Sequence, residues 1–255
     1  MGKLDQKVAI VTGGGTGIGQ AIALTFAKEG ADIVICGRTM DKLEKAAKEV
    51  EALGRHCLAI PADVSIKAQA QGMVEQAVAR FGKIDILVNN AGVVRRASLL
   101  DMSEADWDTV MAINLKGVFL CTQAVAPYMI ERKYGKIINI SSSAGTGCLI
   151  PGLGGYSAAK AGVIQLTKAF AFEMSRYGIN VNAIAPGVVI TPITYFQRTT
   201  EQVEQYIENG KRVSVLGRVG STQDIANLAL FLASDESSFI SGETIASDGG
   251  RLDRM

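Results

Sequence analysis

Short apolar runs alternate with longer amphipathic segments along nearly the whole chain. The short runs are rich in β-branched residues and predict about seven strands. These strands lie at Lys7–Thr12, Asp32–Cys36, Cys57–Ile60, Ile84–Asn89, Lys136–Ser141, Ile179–Ala185 and Thr244–Ala246. The segments between them repeat apolar residues at helical spacing. They predict helices at Ile18–Glu29, Asp41–Leu53, Lys67–Phe81, Asp106–Arg132, Tyr156–Arg176 and Thr222–Ala233.

This alternation predicts an α/β fold built on a Rossmann-type, doubly wound parallel sheet. Continuously apolar strands indicate a sheet covered by helices on both faces. Right-handed crossovers then produce the doubly wound arrangement. Without a repeat or linker, residues 1–255 are expected to form one domain. The least regular segment, 188–216, is expected to form a mobile flap over a pocket, with an ordinary surface helix as the alternative.

Composition narrows the classes of partner. The 255 residues are 48% hydrophobic and 20% charged, with a net charge of +1, which is typical of a soluble globular protein. The sequence has no cluster of Lys and Arg that would favour binding to nucleic acid. No uninterrupted apolar run reaches the roughly 18 residues of a membrane helix, and the N-terminus lacks a signal-peptide core. We therefore expect a cytoplasmic protein with neither a nucleic-acid nor a membrane partner.

The cysteines and the single histidine give no metal-binding pattern. Cys36, Cys57, Cys121 and Cys148 lack metal-like spacing, so we expect buried thiols in a reducing compartment. His56 is the only histidine. One histidine cannot build a metal site, and a histidine-based nucleophile triad is nearly excluded. We therefore expect no metal.

A glycine-rich turn joins the first predicted strand to the first helix. Glycines at such a junction let backbone N–H groups approach a pyrophosphate, and the helix N-terminus adds partial positive charge. The spacing is TGxxxGxG rather than GxGxxG. The candidate phosphate-binding residues are Gly13, Gly15, Thr16, Gly17, Ile18 and Gly19. The alternative interpretation is a merely tight turn.

The end of the second strand predicts which dinucleotide binds. An acidic side chain there would hydrogen-bond the ribose 2′-OH of NAD. Here the corner contains Arg38 and Thr39 and no acid. A guanidinium suits a 2′-phosphate, so the sequence favours NADP(H). The alternative is that Arg38 is a solvated surface residue and that NAD(H) also binds.

Candidate catalytic groups follow the later strands. Tyr156 and Lys160 are four residues apart on a predicted helix and share one face. Serines 141–143 end the fifth predicted strand, and the segment 89–92 ends the fourth. The carboxyl ends of parallel strands border the ligand crevice, so we expect these groups to converge on the glycine-rich turn.

With these motifs in place, the chain resembles the short-chain dehydrogenase/reductase superfamily over essentially its whole length. Among the members of that family, it is most similar to 3-oxoacyl-[acyl carrier protein] reductases and to gluconate 5-dehydrogenases. The matching segments are Thr12–Gly19, Asp63–Val64, Asn89–Gly92, Asn114, Ser141–Ser143, Tyr156–Lys160, Pro186–Gly187 and Ser247–Gly250.

The resemblance implies a role for each matching residue. Tyr156 would be the general acid/base, and Lys160 would lower its pKa from the ordinary value of about 10 and bind the nicotinamide ribose. A serine would polarise the substrate oxygen, and Asn114 would hold a water that links Lys160 to solvent. The remaining cofactor contacts would be Asp63, Val64, Asn90, Ala91, Gly92, Pro186, Gly187, Val189 and Thr191.

The resemblance leaves two serines open. The usual spacing to the tyrosine selects Ser143, whereas alignment on the strand end and Gly145 selects Ser142. Since strand ends are fixed and loops accept insertions, we favour Ser142.

The substrate is predicted less sharply. A 3-oxoacyl thioester is the first expectation. The alternative is a sugar acid, whose carboxylate Arg95 or Arg96 would grip. The pocket wall is expected to include Leu149, Ile150, Leu153, Tyr195 and Phe196. A non-catalytic dinucleotide-binding protein is a minor alternative. By analogy with the family, a homotetramer assembled through the two long helices and the C-terminal segment is expected.

Overall fold

The chain folds around one seven-stranded, fully parallel sheet. A computed structural model describes residues 2–147 and 150–253. The strand order is β3-β2-β1-β4-β5-β6-β7, and every pairing is parallel. The strands are β1 Val8–Thr12, β2 Asp32–Gly37, β3 Cys57–Pro61, β4 Ile86–Asn89, β5 Gly135–Ile140, β6 Ile179–Pro186 and β7 Thr244–Ser247. The predicted Rossmann-type architecture is confirmed.

Helices connect the strands and cover the sheet. They are α1 Gly17–Lys28, α2 Met40–Glu51, α3 Lys67–Phe81, α4 Glu104–Met111, α5 Gly117–Arg132, α6 Gly154–Met174, α7 Pro192–Tyr195, α8 Thr200–Val213 and α9 Thr222–Ala233. The helix predicted over 106–132 is continuous but contains a π-helical turn, Ala112–Lys116. The other predicted boundaries shift by only a few residues, because helix ends are set by capping contacts.

Two apolar cores lie on opposite faces of the sheet. Alternate residues of a strand point to opposite faces, and β1 shows this directly. Ala9 and Val11 pack with α1, α2 and α9, whereas Ile10 packs with α3, α5 and α6. Both faces of the strands are therefore buried, which explains why the strands are continuously apolar.

The sheet changes winding direction between β1 and β4, and polar contacts hold this point together. Thr12 Oγ1 accepts the backbone N–H of Asn90 at 2.9 Å and of Ala91 at 3.0 Å. The Asn90 side-chain amide donates back to the Thr12 carbonyl at 2.9 Å. Because helices leave adjacent strands on opposite faces here, a crevice opens at the carboxyl edge.

The helix over 104–132 is also notable for its hydropathy. Its length and composition would allow it to span a membrane, although it contains no uninterrupted apolar run of that length. Half of its most apolar window is buried within the fold. Its buried residues include Cys121, Val125 and Met129, which belong to the second core. The core packing therefore accounts for the apolar character of this half.

Segment 188–216 forms helices rather than an irregular loop. It contains α7 and α8. The end of α8 is tied to the C-terminal segment, where Leu252 N donates to the Val213 carbonyl at 2.9 Å and Leu216 N to the Gly249 carbonyl at 3.2 Å. The predicted flap region is thus a helical segment joined to the end of the chain.

Asp85 joins three elements at the amino edge of the sheet, just before β4. It is 1% exposed. It accepts the backbone N–H of Val8 at 2.9 Å and lies 3.0 Å from the side-chain nitrogens of both Lys83 and Arg132. This carboxylate therefore ties the starts of β1 and β4 to the end of α5.

We expect Asp85→Ala to lower the free energy of unfolding by about 2 to 3 kcal/mol, because a buried charge-assisted hydrogen bond is lost. Chemical denaturation of the variant measures this value. Asp101→Ala, which removes an exposed aspartate, is the matched control and should change stability little. Equal stability of the two variants would contradict the expectation.

Candidate active site

A cleft of about 420 Å³ lies at the carboxyl edge of the sheet, next to the point between β1 and β4 where the winding direction changes. Its wall is formed by the glycine-rich turn, the ends of β4, β5 and β6, the start of α6, and the segment around α7 and α8. The predicted site residues that line it are Gly13, Thr16, Gly17, Ile18, Arg38, Asn90, Ala91, Gly92, Arg96, Ser142, Ser143, Ile150, Leu153, Tyr156, Lys160, Pro186, Gly187, Val189 and Thr191. The sequence motifs therefore converge in one place.

Other predicted site residues do not line this cleft. They are Gly15, Gly19, Thr39, Asp63, Val64, Arg95, Asn114, Tyr195 and Phe196. Leu149 lies outside the described residues. Tyr195 and Phe196 are exposed, at 57% and 43%, at the end of the short helix α7.

Several cleft residues were missed by the sequence analysis. The polar ones are Lys42, Thr194, Arg198, Tyr206 and Arg251. Three of them come from α8, its approach, and the C-terminal segment. The only sequence signal for the residues on α8 and its approach is the polar helical stretch within 188–216. Its periodicity does not determine which face of the helix meets the cleft.

The glycine-rich turn has the shape and donors that a pyrophosphate requires. Gly13 and Gly17 adopt φ values of +66° and +59°, in the left-handed region that favours glycine. A Cβ on Gly19 would lie 2.4 Å from the Gly13 carbonyl oxygen. Thr16, at the N-cap of α1, makes no side-chain capping bond. The first N–H groups of α1 are thus left for an anion, so the turn fits a dinucleotide.

Two cations border the end of the cleft next to β2. Arg38 and Lys42 are both exposed and both line it. A Cβ on Gly15 would lie 3.3 Å from the Lys42 Cβ, so α2 places Lys42 against the glycine-rich turn. This end of the cleft therefore combines helix-terminal donors with two positive side chains.

Lys160 places its ammonium in the interior. The residue is 3% exposed, and Nζ donates to the Ile140 carbonyl at 2.7 Å. Burial lowers the pKa of Lys160 to about 8. The ammonium lies 5.7 Å from the ring centroid of Tyr156. The two side chains share a helix face, as their spacing predicts.

Tyr156 is paired with a serine hydroxyl. Burial raises its pKa to about 12, and a side-chain hydrogen bond with Ser142 opposes that rise. The expected lowering of this pKa by Lys160 is therefore not produced by the protein groups alone. The Ser143 hydroxyl instead accepts from Arg251 Nη1 at 3.1 Å. Of the two serines, Ser142 is the one that meets the phenol.

Asn114 supports the loop that follows β4. Its Oδ1 accepts the Val93 N–H and its Nδ2 donates to the Val93 carbonyl, both at 2.8 Å. A Cβ on Gly92 would lie 2.8 Å from Asn114 Oδ1 and 3.7 Å from Lys160 Nζ. The π-helical turn thus brings this amide beside the lysine, and Oδ1 and Nδ2 each hold the loop through one hydrogen bond.

The two adjacent arginines after this loop, Arg95 and Arg96, make different contacts. Arg95 Nε lies 3.1 Å from Asp106 Oδ1, and its guanidinium is 5.4 Å from the Phe196 ring centroid. Arg96 lines the cleft. In the ranges 2–147 and 150–253, no group of three His, Cys, Asp or Glu side chains gathers as a metal site would.

Comparison with known proteins matches the whole chain. A family model described as Enoyl-(Acyl carrier protein) reductase matches residues 13–251. The (2S)-[(R)-hydroxy(phenyl)methyl]succinyl-CoA dehydrogenase subunit of Thauera aromatica is 44% identical and covers 97% of both chains. The 3-oxoacyl-[acyl-carrier-protein] reductase of Thermotoga maritima is 42% identical and covers 97% of this chain and 98% of that protein.

Solved structures share the same fold. The crystal structure of levodione reductase aligns with a TM-score of 0.90 at 34% identity, over 97% of this chain and 98% of that one. A short-chain type dehydrogenase/reductase from Mycobacterium marinum aligns with a TM-score of 0.92 at 36% identity, over 98% of this chain and 96% of that one.

We expect the buried ammonium to appear as a pH-dependent stability difference. The pKa of Lys160 falls from 10.5 to about 8 on folding, so between these values the unfolded chain binds more protons. The stability of the folded state therefore gains from this group as pH rises through that interval. Lys160→Met removes the gain. The free energy of unfolding of wild type minus that of the variant should then increase from pH 8 towards pH 10.

Chemical denaturation at several pH values measures this difference. Lys168→Met, which removes an exposed lysine of the same helix, is the control and should give a difference that does not change with pH. If the wild-type minus Lys160→Met difference in the free energy of unfolding stays flat or falls as pH rises, then folding does not lower the pKa of Lys160.

Proposed function

This chain belongs to the short-chain dehydrogenase/reductase family of oxidoreductases acting on CH–OH and carbonyl groups, and on that basis we propose an NADP(H)-dependent enzyme that interconverts a carbonyl and a secondary alcohol. Residues 1–255 serve as one dinucleotide-binding catalytic domain, with 188–216 as the substrate flap. The single observation that carries the proposal is the set of Ser142, Tyr156 and Lys160 in the cleft beside the glycine-rich turn.

Tyr156 is the general acid/base of the proposed reaction. A bound nicotinamide supplies or accepts the hydride. In the reductive direction the Tyr156 hydroxyl donates its proton to the substrate oxygen, which becomes the alcohol hydroxyl. The phenolate that remains is stabilised by the ammonium of Lys160 and by the Ser142 hydroxyl. In the oxidative direction the same phenolate takes the proton back.

The surrounding residues lower the cost of that proton transfer. Burial outweighs the hydrogen bond with Ser142 and raises the pKa of Tyr156 to about 12, too high for efficient transfer near neutrality. A positive charge added beside the ring opposes burial, so the phenol becomes acidic only in the loaded site. Asn114 keeps the loop at Gly92 in place and, in this proposal, carries the water that reprotonates Lys160.

NADP(H) is the proposed cofactor. The pyrophosphate would lie on the glycine-rich turn and the N-terminus of α1. Arg38 would pair with the 2′-phosphate in the geometry that guanidinium groups favour, and Lys42 would add a second positive charge. NAD(H) lacks this phosphate and would bind without using either cation.

Acyl thioesters are the first substrate class. By their names, two relatives act on a hydroxyacyl thioester of CoA and on a 3-oxoacyl group of a carrier protein. A 3-oxoacyl thioester presents a carbonyl that Tyr156 and Ser142 could bind. A sugar acid is the second candidate, because Arg96 lines the same cleft. The assembled Ser142, Tyr156 and Lys160 argue against a non-catalytic dinucleotide-binding protein.

We further propose a cytoplasmic homotetramer. A second, mainly apolar groove lies between the helix over 104–132 and α6, lined by residues such as Leu115, Phe119 and Leu166. Phe119 is 39% exposed. In a tetramer this groove would be covered by the same helices of another copy.

Replacing the phenol tests the chemistry. We expect Tyr156→Phe to lower kcat by about 10²- to 10⁴-fold, because general acid/base catalysis is lost, while NADPH binding persists. Ser142→Ala should lower kcat/KM more than Ser143→Ala. Stopped-flow and steady-state turnover of acetoacetyl thioester and 5-ketogluconate measure these effects. Tyr177→Phe, a phenol outside the cleft, is the control, and wild-type rates in Tyr156→Phe would overturn the proposal.

Removing the two cations tests the cofactor. We expect Arg38→Ala to raise the KM for NADPH about 10- to 100-fold, because charge-assisted contacts to a phosphate are lost, and to leave the KM for NADH nearly unchanged. Lys42→Ala should act in the same direction. Lys45→Ala, an exposed lysine of α2 that does not line the cleft, is the matched control. A wild-type preference for NADH of tenfold or more would contradict NADP(H) selection.

A further inference from the structure

Four arginines lie in or beside the substrate end of the cleft, and they differ in their partners. Arg95 pairs with Asp106, and Arg251 pairs with Asp253. Arg96 and Arg198 line the cleft, and among the described residues no carboxylate lies within ion-pair distance of either one. Two guanidinium groups therefore bring uncompensated positive charge to the site.

Arg96 carries a donor that the protein does not satisfy. Its backbone N–H donates to Gln197 Oε1 at 3.0 Å. Its Nε, in contrast, is buried and has no acceptor in the described part of the chain. Burial and the charge of Arg198 both lower the pKa of Arg96. A buried donor without an acceptor is costly, and this guanidinium also lines the cleft, where a ligand anion would supply the charge that the protein does not.

Arg198 is fixed in place by its neighbours. Its Nη1 donates to the Thr194 carbonyl at 2.8 Å, and its guanidinium lies 3.7 Å from the ring centroid of Tyr206. These contacts orient the guanidinium without neutralising it. Since the charges of Arg96 and Arg198 oppose each other, an anion held by both would relieve the repulsion.

The position of this pair relative to the phenol identifies the ligand group. Arg96, Arg198 and Tyr156, the proposed acid/base, line the same cleft, and the charge of Arg96 opposes the rise in the pKa of Tyr156. The phosphate-binding features, Arg38 and the glycine-rich turn, belong to other elements of the cleft. The anion facing Arg96 and Arg198 therefore belongs to the molecule whose carbonyl meets Tyr156. A guanidinium fork suits a carboxylate in particular, because it can donate two parallel hydrogen bonds.

We propose that Arg96 and Arg198 form a carboxylate-binding subsite, so that the substrate is a carbonyl compound or alcohol bearing a free carboxylate. This inference rests on the proposed oxidoreductase function and adds the substrate charge to it. It joins the two substrate candidates, because an acyl thioester with a carboxylate on its chain and a sugar acid both meet this requirement.

Matched acid and ester substrates test the subsite. We would measure kcat/KM with NADPH for two pairs: 3-oxoadipyl-N-acetylcysteamine and its methyl ester, and 5-oxohexanoate and its methyl ester. For at least one pair, wild type should favour the acid. In Arg96→Met and in Arg198→Met the acid-to-ester ratio should fall by about 10- to 100-fold, because a charge-assisted hydrogen bond is lost. Arg95→Met, whose guanidinium already pairs with Asp106, is the control and should keep the wild-type ratio.

Each other outcome has a defined meaning. A wild-type ratio near one, or ratios unaffected in both variants, would overturn the subsite. Weaker NADPH binding in Arg198→Met with an unchanged ratio would assign that arginine to the cofactor and also overturn it. If NADPH binds and no substrate turns over, the proposed reaction fails. Calorimetry on the NADP⁺ complex then tests the subsite separately. If the subsite exists, the acids bind more tightly than their esters, and this difference is lost in Arg96→Met.

Discussion

The proposed chemistry of this protein depends on holding one ammonium group away from water. Lys160 is buried beneath Tyr156 and bonds to the carbonyl that ends β5. A charge in that position costs stability, and in the proposed mechanism it acts together with the bound cofactor to stabilise the phenolate of Tyr156. The fold tolerates this cost because two apolar cores, one on each face of the sheet, fix the backbone around it. The packing of the two cores thus offsets the free-energy cost of keeping the Lys160 ammonium buried beside the cleft.

The cleft itself follows from parallel strand order. Thr12 and Asn90 bind the ends of β1 and β4 to each other where the winding reverses, so the glycine-rich turn and the loop after β4 cannot move apart. The π-helical turn then brings Asn114 to that loop. Each motif contributes a backbone contact as well as a side chain. The motifs are therefore closely spaced in the fold although they are far apart in the chain.

Much of this arrangement was predictable from the sequence, for a physical reason. Strands buried on both faces must be continuously apolar, so β1, β2 and β4 stand out, and the glycine-rich turn, Arg38 and Asn90 follow their ends. The π-helical turn was not predictable, since residues 112–116 contain no helix-breaking residue. Arg198, Tyr206 and Arg251 were missed because their positions depend on how α8 and the C-terminal segment pack, which no local period encodes. Arg95 and Arg96 look equivalent in the sequence, and the fold separates them by pairing Arg95 with Asp106 and placing Arg96 in the cleft wall.

The C-terminal segment has a practical consequence for anyone who handles this protein. Arg251 reaches the hydroxyl of Ser143, and Asp253 holds its guanidinium. Any polypeptide fused after Asp253 would begin two residues beyond Arg251, which lines the cleft, whereas Gly2 packs against Glu29 at the opposite end of α1. Purification handles and immobilisation tethers consequently belong at the amino end, where they leave the entrance of the cleft clear.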